Sequence, residues 1–255
     1  MEERHRSAAG EHHQVKTDVQ TFVAENEDEL AVEFIRVFVD SYSAAAAETG
    51  RFAVSLSGGS TPKKLYRRLS GVDLDWGKLF FFFGDERFVP PDDADSNFRM
   101  ANDAIFLQLD IAEDHIFRWR TEYDDPAAAA ADYSDRLKDY FGGMPRFDLC
   151  LLGLGPDAHT ASLFPHTSAL RDDTHIAVAN YVPEFGAARL TLTPTAINNS
   201  RTILFIATGA EKADAVHAVL QGERRPDELP AQLIEPRSGD MRWLIDHAAA
   251  AGLNH

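Results

Sequence analysis

Cysteine is nearly absent from this sequence. Cys150 stands alone among 255 residues, so no internal disulfide can brace the chain and its stability has to come from a packed core. The thiol lies inside the apolar run FDLCLLG and reads as buried and inert. Positive charge is also scarce: 25 Lys and Arg face 41 Asp and Glu, for a formal net charge of -16. That balance argues against nucleic acid and against anionic membrane as partners, because both need a positive surface. A local basic pocket for a small anion remains compatible with it. No apolar run approaches the roughly 20 residues needed to span a bilayer, and the opening MEERHRSAAGEHHQ lacks the apolar stretch of a secretory signal. Cytoplasmic residence is the default that follows. His12 and His13 sit in that polar opening and read as exposed residues of a frayed tail, not as a metal tract.

What is present is ordinary globular composition, 44% hydrophobic and 26% charged, in a chain long enough to bury a real core. Residues 26–49 carry Leu30, Phe34, Val37 and Phe38 on one face and end at Gly50, the pattern of a helix with its stop. Then short apolar strands alternate with helices. Phe52–Leu56 runs into Gly58 and Gly59 before a helix near Thr61 and Pro62; LFFFF ends at Gly84, and a helix follows with Ser96 or Asn97 as its cap. IFRW precedes an alanine-rich helix from about Pro126 to Phe141, FDLCLLG is a fourth strand, Thr202–Ala207 a fifth, and MRWLID a last one. This is an α/β protein with a doubly wound, mainly parallel sheet and helices on both faces. The alternating pieces within 171–195 read either as antiparallel edge strands or as a small antiparallel lobe. Residues 1–20 are expected to form a frayed tail and residues 21–255 a single domain.

Sheets of this kind bind ligands in the loops at the carboxyl ends of their strands, and three such loops carry glycine. In SLSGGSTP, Gly58 and Gly59 let backbone N–H groups face a ligand beside a helix N-terminus, with the Ser57, Ser60 and Thr61 hydroxyls at hand, which suits phosphate. Neither the P-loop spacing nor the dinucleotide-binding glycine pattern is there. In FGDERFVP, Asp85, Glu86 and Arg87 follow a buried strand directly, and Arg87 can grip an oxyanion or phosphate with two donors. In GLGPDAHTASLFP, Gly153 and Gly155 turn the chain and Pro156 fixes it, presenting Asp157 and His159 where a further helix is expected to begin. A neutral imidazole can take a proton from water near neutral pH, and a neighbouring carboxylate can hold its tautomer, so the reaction class suggested is hydrolysis. No second His or Cys stands at metal-ligand spacing around this loop, which disfavours a metal site.

Together, SLSGGSTPKKLY, FFFGDERFVPPDDADSNFRMA, FDLCLLGLGPDAHTASLFP, TGAEKADAV and MRWLIDHAAA resemble segments of the 6-phosphogluconolactonases, in the superfamily shared with glucosamine-6-phosphate deaminases. The resemblance runs from about residue 25 to the end. It implies hydrolysis of 6-phospho-D-glucono-1,5-lactone to 6-phosphogluconate without metal or organic cofactor, by a monomer or homodimer whose partner is the phosphosugar lactone. It further implies that His159 is the general base, that Asp157 orients it, and that Arg87 or backbone N–H groups stabilise the oxyanion. Gly58, Gly59, Ser60 and Lys212 would hold the phosphate, with Ser57, Asp85, Glu86 and Asn97 as further substrate-binding candidates. Deaminases of this superfamily carry a glutamate in the proton relay where Phe164 stands here, which puts a deaminase-like isomerase second. The residue between Asp and His is usually glycine in the family and is Ala158 in this chain. If the position needs a positive φ, alanine costs roughly 1 kcal/mol and can tilt His159. A non-catalytic sugar-phosphate sensor is the third reading, although no output module is evident.

Overall fold

The structure is a computed structural model that describes residues 19–254; His12 and His13 lie outside them. The first element, β1 (Val19–Ala24), is a strand that the sequence pattern does not announce, and it takes in Val19 and Gln20 from the expected tail. Helix α1 (Glu27–Thr49) follows. The Asn26 side chain caps it by accepting from the Glu29 N–H, three acids fill its first turn, and Gly50 closes it at φ 74°. Its buried face includes Leu30, Phe34, Val37 and Phe38. Strand β2 (Phe52–Leu56) is buried throughout and leads through Ser57-Gly58-Gly59 into α2 (Ser60–Leu69).

Strand β3 (Leu79–Phe83) is followed at once by β4 (Asp85–Arg87), a strand where the sequence suggested only a loop. The helix beyond is irregular: α3 (Asn97–Ala101), capped by the Ser96 side chain, passes through a π-helical stretch (Asn102–Phe106) into α4 (Leu107–Leu109). The expected strand IFRW shortens to β5 (Ile116–Phe117), and α5 (Pro126–Phe141) starts behind its Asp125 cap with proline in the first turn. Then come β6 (Leu149–Gly153), β7 (Ala177–Val182), β8 (Ala187–Leu192), α6 (Pro194–Ile197), β9 (Thr202–Ala207), α7 (Ala213–Leu220), β10 (Asp240–Asp246) and α8 (His247–Ala250).

Seven strands form one parallel sheet in the order β1-β10-β9-β6-β2-β3-β5. From β2 the chain winds one way to β3 and β5, and then the other way to β6, β9 and β10. The direction therefore reverses between β2 and β6, and the loops leaving those two strands diverge to open a crevice, where sheets of this type hold their ligands. The pieces within 171–195 resolve as the small-lobe alternative. β7 and β8 form an antiparallel hairpin that joins β4 in a separate three-stranded sheet, β4-β8-β7. Helix α5 holds this sheet in place through Ser134, whose hydroxyl donates to Ala177 O at 3.3 Å. Apolar residues of both sheets, Phe81 and Leu152 with Leu190 and Leu192, belong to one core. Cys150 is fully buried there, and burial pushes its thiol up to about 12, which leaves it inert at neutral pH. No helix among the described residues is long and apolar enough to cross a membrane.

Candidate active site

The loop after β2 is built for close approach. A Cβ on Gly58 would sit 1.9 Å from Asn97 Oδ1, so only glycine lets the Asn97 side chain lie against the loop. Gly59 holds φ 112°, and α2 begins behind it with no side-chain cap, which leaves N–H groups of its first turn pointing outward. Tyr66 pins the loop from behind, accepting from Ser57 N at 3.0 Å and donating to Ser57 O at 2.9 Å. The Ser57 hydroxyl is buried and has no hydrogen-bond partner among the described residues.

Strand alternation divides the acids and arginine of β4. Asp85 and Arg87 point to the crevice, Asp85 accepting from Ser162 Oγ at 2.6 Å and Arg87 donating to Asp95 O at 2.7 Å. Glu86 points the opposite way. It is 2% exposed and accepts from the N–H groups of Arg87 (2.8 Å), Asn97 (2.7 Å) and Phe98 (2.8 Å) and from Ser96 Oγ (3.1 Å). Burial raises its carboxyl above the ordinary glutamate range in spite of those donors. Glu86 is thus a staple that fixes the start of α3, and it is not available to a substrate as the sequence suggested. Its effect is to set Asn97, whose Nδ2 donates to Asp85 O at 3.0 Å.

The third loop closes on itself through Gly155 N donating to His159 O at 2.8 Å. Asp157 Oδ1 lies 2.5 Å from His159 Nδ1, and both groups crowd the Gly155 Cα: a Cβ there would meet Nδ1 at 2.0 Å and Oδ1 at 2.6 Å. Burial works to raise the Asp157 carboxyl, but its hydrogen bonds and charge interaction with His159 outweigh that and hold it below the usual aspartate range, ionised at neutral pH. Ala158 does adopt a positive φ of 61°, with its methyl fully buried. The expected helix does not form. Ala161 also takes a positive φ (47°), Thr160 Oγ1 turns back to donate to Gly153 O, and Thr160 pairs with Leu163 in an isolated bridge.

These loops line a cavity of about 330 Å³ that continues past Gly58, Gly59 and Lys212 into a wider one of about 760 Å³. His159, Ser57, Asp85, Arg87, Asn97 and Lys212 border the smaller cavity, and Ser60 the wider one. Asp157 borders neither and stands behind His159. The structure adds Arg189, which the sequence reading missed. It pairs with Arg87 in the register of β4 and β8 and borders the same cavity. Burial and then the nearby Arg87 charge both push its guanidinium down. Two neighbouring cations facing a cavity suit an anion. Nothing local in ARLTLT marks that arginine; only its pairing with β4 does.

A doubly wound sheet with an Asp–His pair and a cationic wall at its switch point defines an α/β enzyme that works on a small anionic molecule. Comparison with known proteins sharpens the class. The family model described as Glucosamine-6-phosphate isomerases/6-phosphogluconolactonase matches residues 25–243, and the chain belongs to that family. A 6-phosphogluconolactonase of Synechocystis sp. is 44% identical over 214 residues, 82% of this chain and 88% of that protein. The solved structure of a 6-phosphogluconolactonase from Trypanosoma cruzi superposes with a TM-score of 0.86 at 28% identity, covering 96% of this chain and all (100%) of that one. A monomeric glucosamine-6-phosphate deaminase of solved structure follows at a TM-score of 0.75 and 26% identity, covering 92% of this chain and 100% of that one. The fold is therefore shared by both activities, and the site has to distinguish them.

Proposed function

We propose that this chain hydrolyses 6-phospho-D-glucono-1,5-lactone to 6-phospho-D-gluconate in the cytoplasm, residues 21–255 acting as one domain. The observation that carries the reading is the pairing of His159 Nδ1 with an ionised Asp157, which leaves Nε2 as the atom free to act on the cavity side. Asp157 accepts a hydrogen bond from Nδ1–H, which keeps that proton on Nδ1, so Nε2 holds the lone pair and takes a proton from a water molecule. The hydroxide equivalent attacks the lactone carbonyl carbon and its electron pair moves onto the carbonyl oxygen. Collapse of that oxyanion breaks the bond to the ring oxygen, which receives the proton from Nε2, and the new acid ionises to gluconate. One imidazole serves both transfers.

The developing oxyanion needs donors already in place, and Arg87, Arg189 and the Ser57 hydroxyl, which has no partner among the described residues, are the candidates, bordering the same cavity as His159. Gly58, Gly59, Ser60 and Lys212, where the two cavities meet at the start of α2, suit the phosphate. Asn97 and Asp85 are hydrogen-bonded to each other and serve best by shaping that wall. A deaminase needs an acid where Phe164 stands, and a phenyl ring carries no proton.

The test follows the disappearance of freshly generated lactone with and without protein, because the lactone also hydrolyses unaided and only the excess rate counts. A large excess rate that His159→Ala removes supports reaction and base together. Ammonia release from glucosamine 6-phosphate, with no excess lactone hydrolysis, would replace the reading by the deaminase one.

A further inference from the structure

The imidazole of His159 is held from two directions. Its edge is tied through Nδ1 to Asp157, and its face lies against the ring of Phe164, with centroids 4.1 Å apart and planes 26° from parallel. Phe164 is 6% exposed. It meets Phe185 in a T-shaped contact, with centroids 5.4 Å apart and planes at 79°, and the Arg189 guanidinium lies over Phe185, 5.1 Å from the ring centre. The backbone under Phe164 is pinned as well, since its carbonyl accepts from both the N–H (3.3 Å) and the hydroxyl (2.7 Å) of Thr167. A continuous chain of ring contacts therefore runs from the imidazole to the tip of the β7–β8 hairpin, in the short turn Pro183–Phe185.

The bond to Asp157 cannot fix the imidazole alone. One hydrogen bond at Nδ1 tolerates small rotations of the ring about its side-chain bonds, and such rocking swings Nε2 across the cavity. Misplacing a reacting atom by about 1 Å costs on the order of a hundredfold in rate. A flat ring laid across the imidazole removes that motion, and its electron-rich face favours the imidazolium that forms once water has given up its proton. Aliphatic packing of the same volume does neither.

We infer that Phe164 is a positioning residue: stacked on His159 and buttressed by Phe185, it sets the plane of the imidazole so that Nε2 addresses the cavity. This rests on the lactonase reading above and deepens it by bringing the small antiparallel sheet into the positioning of the base.

The test compares Phe164→Leu and Phe164→Tyr with the unsubstituted protein in lactone hydrolysis, in thermal melting and in the NMR signals of the His159 ring protons without substrate. Those signals are assigned by their loss in His159→Ala. The leucine variant lacks the flat face and is expected to lose about tenfold or more in kcat while KM stays within about twofold. The tyrosine variant keeps the face and is expected to recover most of kcat. The ring protons of His159, moved upfield by the overlying phenyl, are expected to shift downfield in the leucine variant only. Unchanged kcat in the leucine variant, or equal losses in both variants, overturns the inference. Should the leucine variant not fold, Phe185→Ala at the half-exposed hairpin tip takes its place, and ring protons that do not respond to it overturn the inference too. If the unsubstituted protein accelerates no lactone hydrolysis, the lactonase reading fails by that result alone. The ring protons then decide about the stack, and an absence of any shift on losing the Phe164 ring sinks it.

Discussion

The His159 imidazole and the Asp157 carboxylate lie together over the Cα of Gly155, with Nδ1 and Oδ1 2.5 Å apart. Two residues between which only Ala158 intervenes are brought face to face because the loop turns back at a position of positive φ. The carboxylate stays ionised through the neutral range and can keep the proton on Nδ1, as the proposed general-base role of Nε2 requires. Asp157→Asn preserves the shape and removes the charge, and is expected to lower kcat by roughly a hundredfold or more with KM little changed, as expected for a lost general-base partner. His159→Ala should leave only the unaided rate. Steady-state kinetics on fresh lactone, corrected for spontaneous hydrolysis, checks both. Retention of kcat in either variant would remove the pair from the mechanism.

Ala158 offers a second measurement. Its φ of 61° lies where an L-residue is strained by about 1 kcal/mol or somewhat more, and its buried methyl and the lower flexibility of alanine in the unfolded chain give part of that back. Ala158→Gly is expected to raise stability by up to about 1 kcal/mol, a rise in Tm of roughly 2–4 °C for a chain of this size. Thermal melting reads it. A fall in Tm would mean that the methyl contributes more through packing than the backbone strain costs.

Much of this was legible in the sequence, and the failures share a cause. Asn26 and Gly50 bound α1, and Asp125 with Pro126 opens α5, because capping chemistry is local and each signal lies within a few residues of the element it ends. The crevice was legible for the same reason, since glycines at strand exits are local. What went unread depends on partners far along the chain. Asp85-Glu86-Arg87 looks like a loop until Arg189, Leu190 and Thr191 pair with it as a strand. That pairing decides that Glu86 turns inward and that Arg189 reaches the cavity. The helix expected after His159 is lost to Ser162, which bonds to Asp85, 77 residues away in sequence. Strand β1 was missed because its outer half is exposed and its side chains show no clean alternation.

The staple at Glu86 should leave a pH signature. Its folded carboxyl titrates above the unfolded value of about 4.3, because burial disfavours the ion more than its donors favour it. A group raised in the folded state adds stability below its unfolded value and loses that contribution as pH rises through its folded value. Glutamine cannot titrate. The Tm of the unsubstituted protein relative to Glu86→Gln is therefore expected to be highest near pH 4 and to fall as pH rises toward 7. A difference that stays flat, or grows with pH, would mean that the four donors dominate and that the ion is the preferred buried form.

Gly58 and Asn97 give the most direct test of the wall proposed to hold the phosphate. A Cβ at position 58 would lie 1.9 Å from Asn97 Oδ1, and Asn97 cannot simply swing aside, because its Nδ2 is held by Asp85 O at 3.0 Å and Asp85 Oδ1 at 3.3 Å. Gly58→Ala is expected to cost about 1–3 kcal/mol of stability by overpacking and to raise KM for the lactone more than it lowers kcat. Asn97→Ala alone leaves the Asp85 acceptors short of a donor, at about 1–3 kcal/mol. Combined, the two should cost less than their sum by about 1 kcal/mol or more, because the second substitution removes the atom that the first one strikes. Chemical denaturation of the four proteins of the cycle measures the coupling. Strict additivity would mean that the loop after β2 moves away from α3 when it gains a side chain, and that Asn97 does not hold Gly58 in its place.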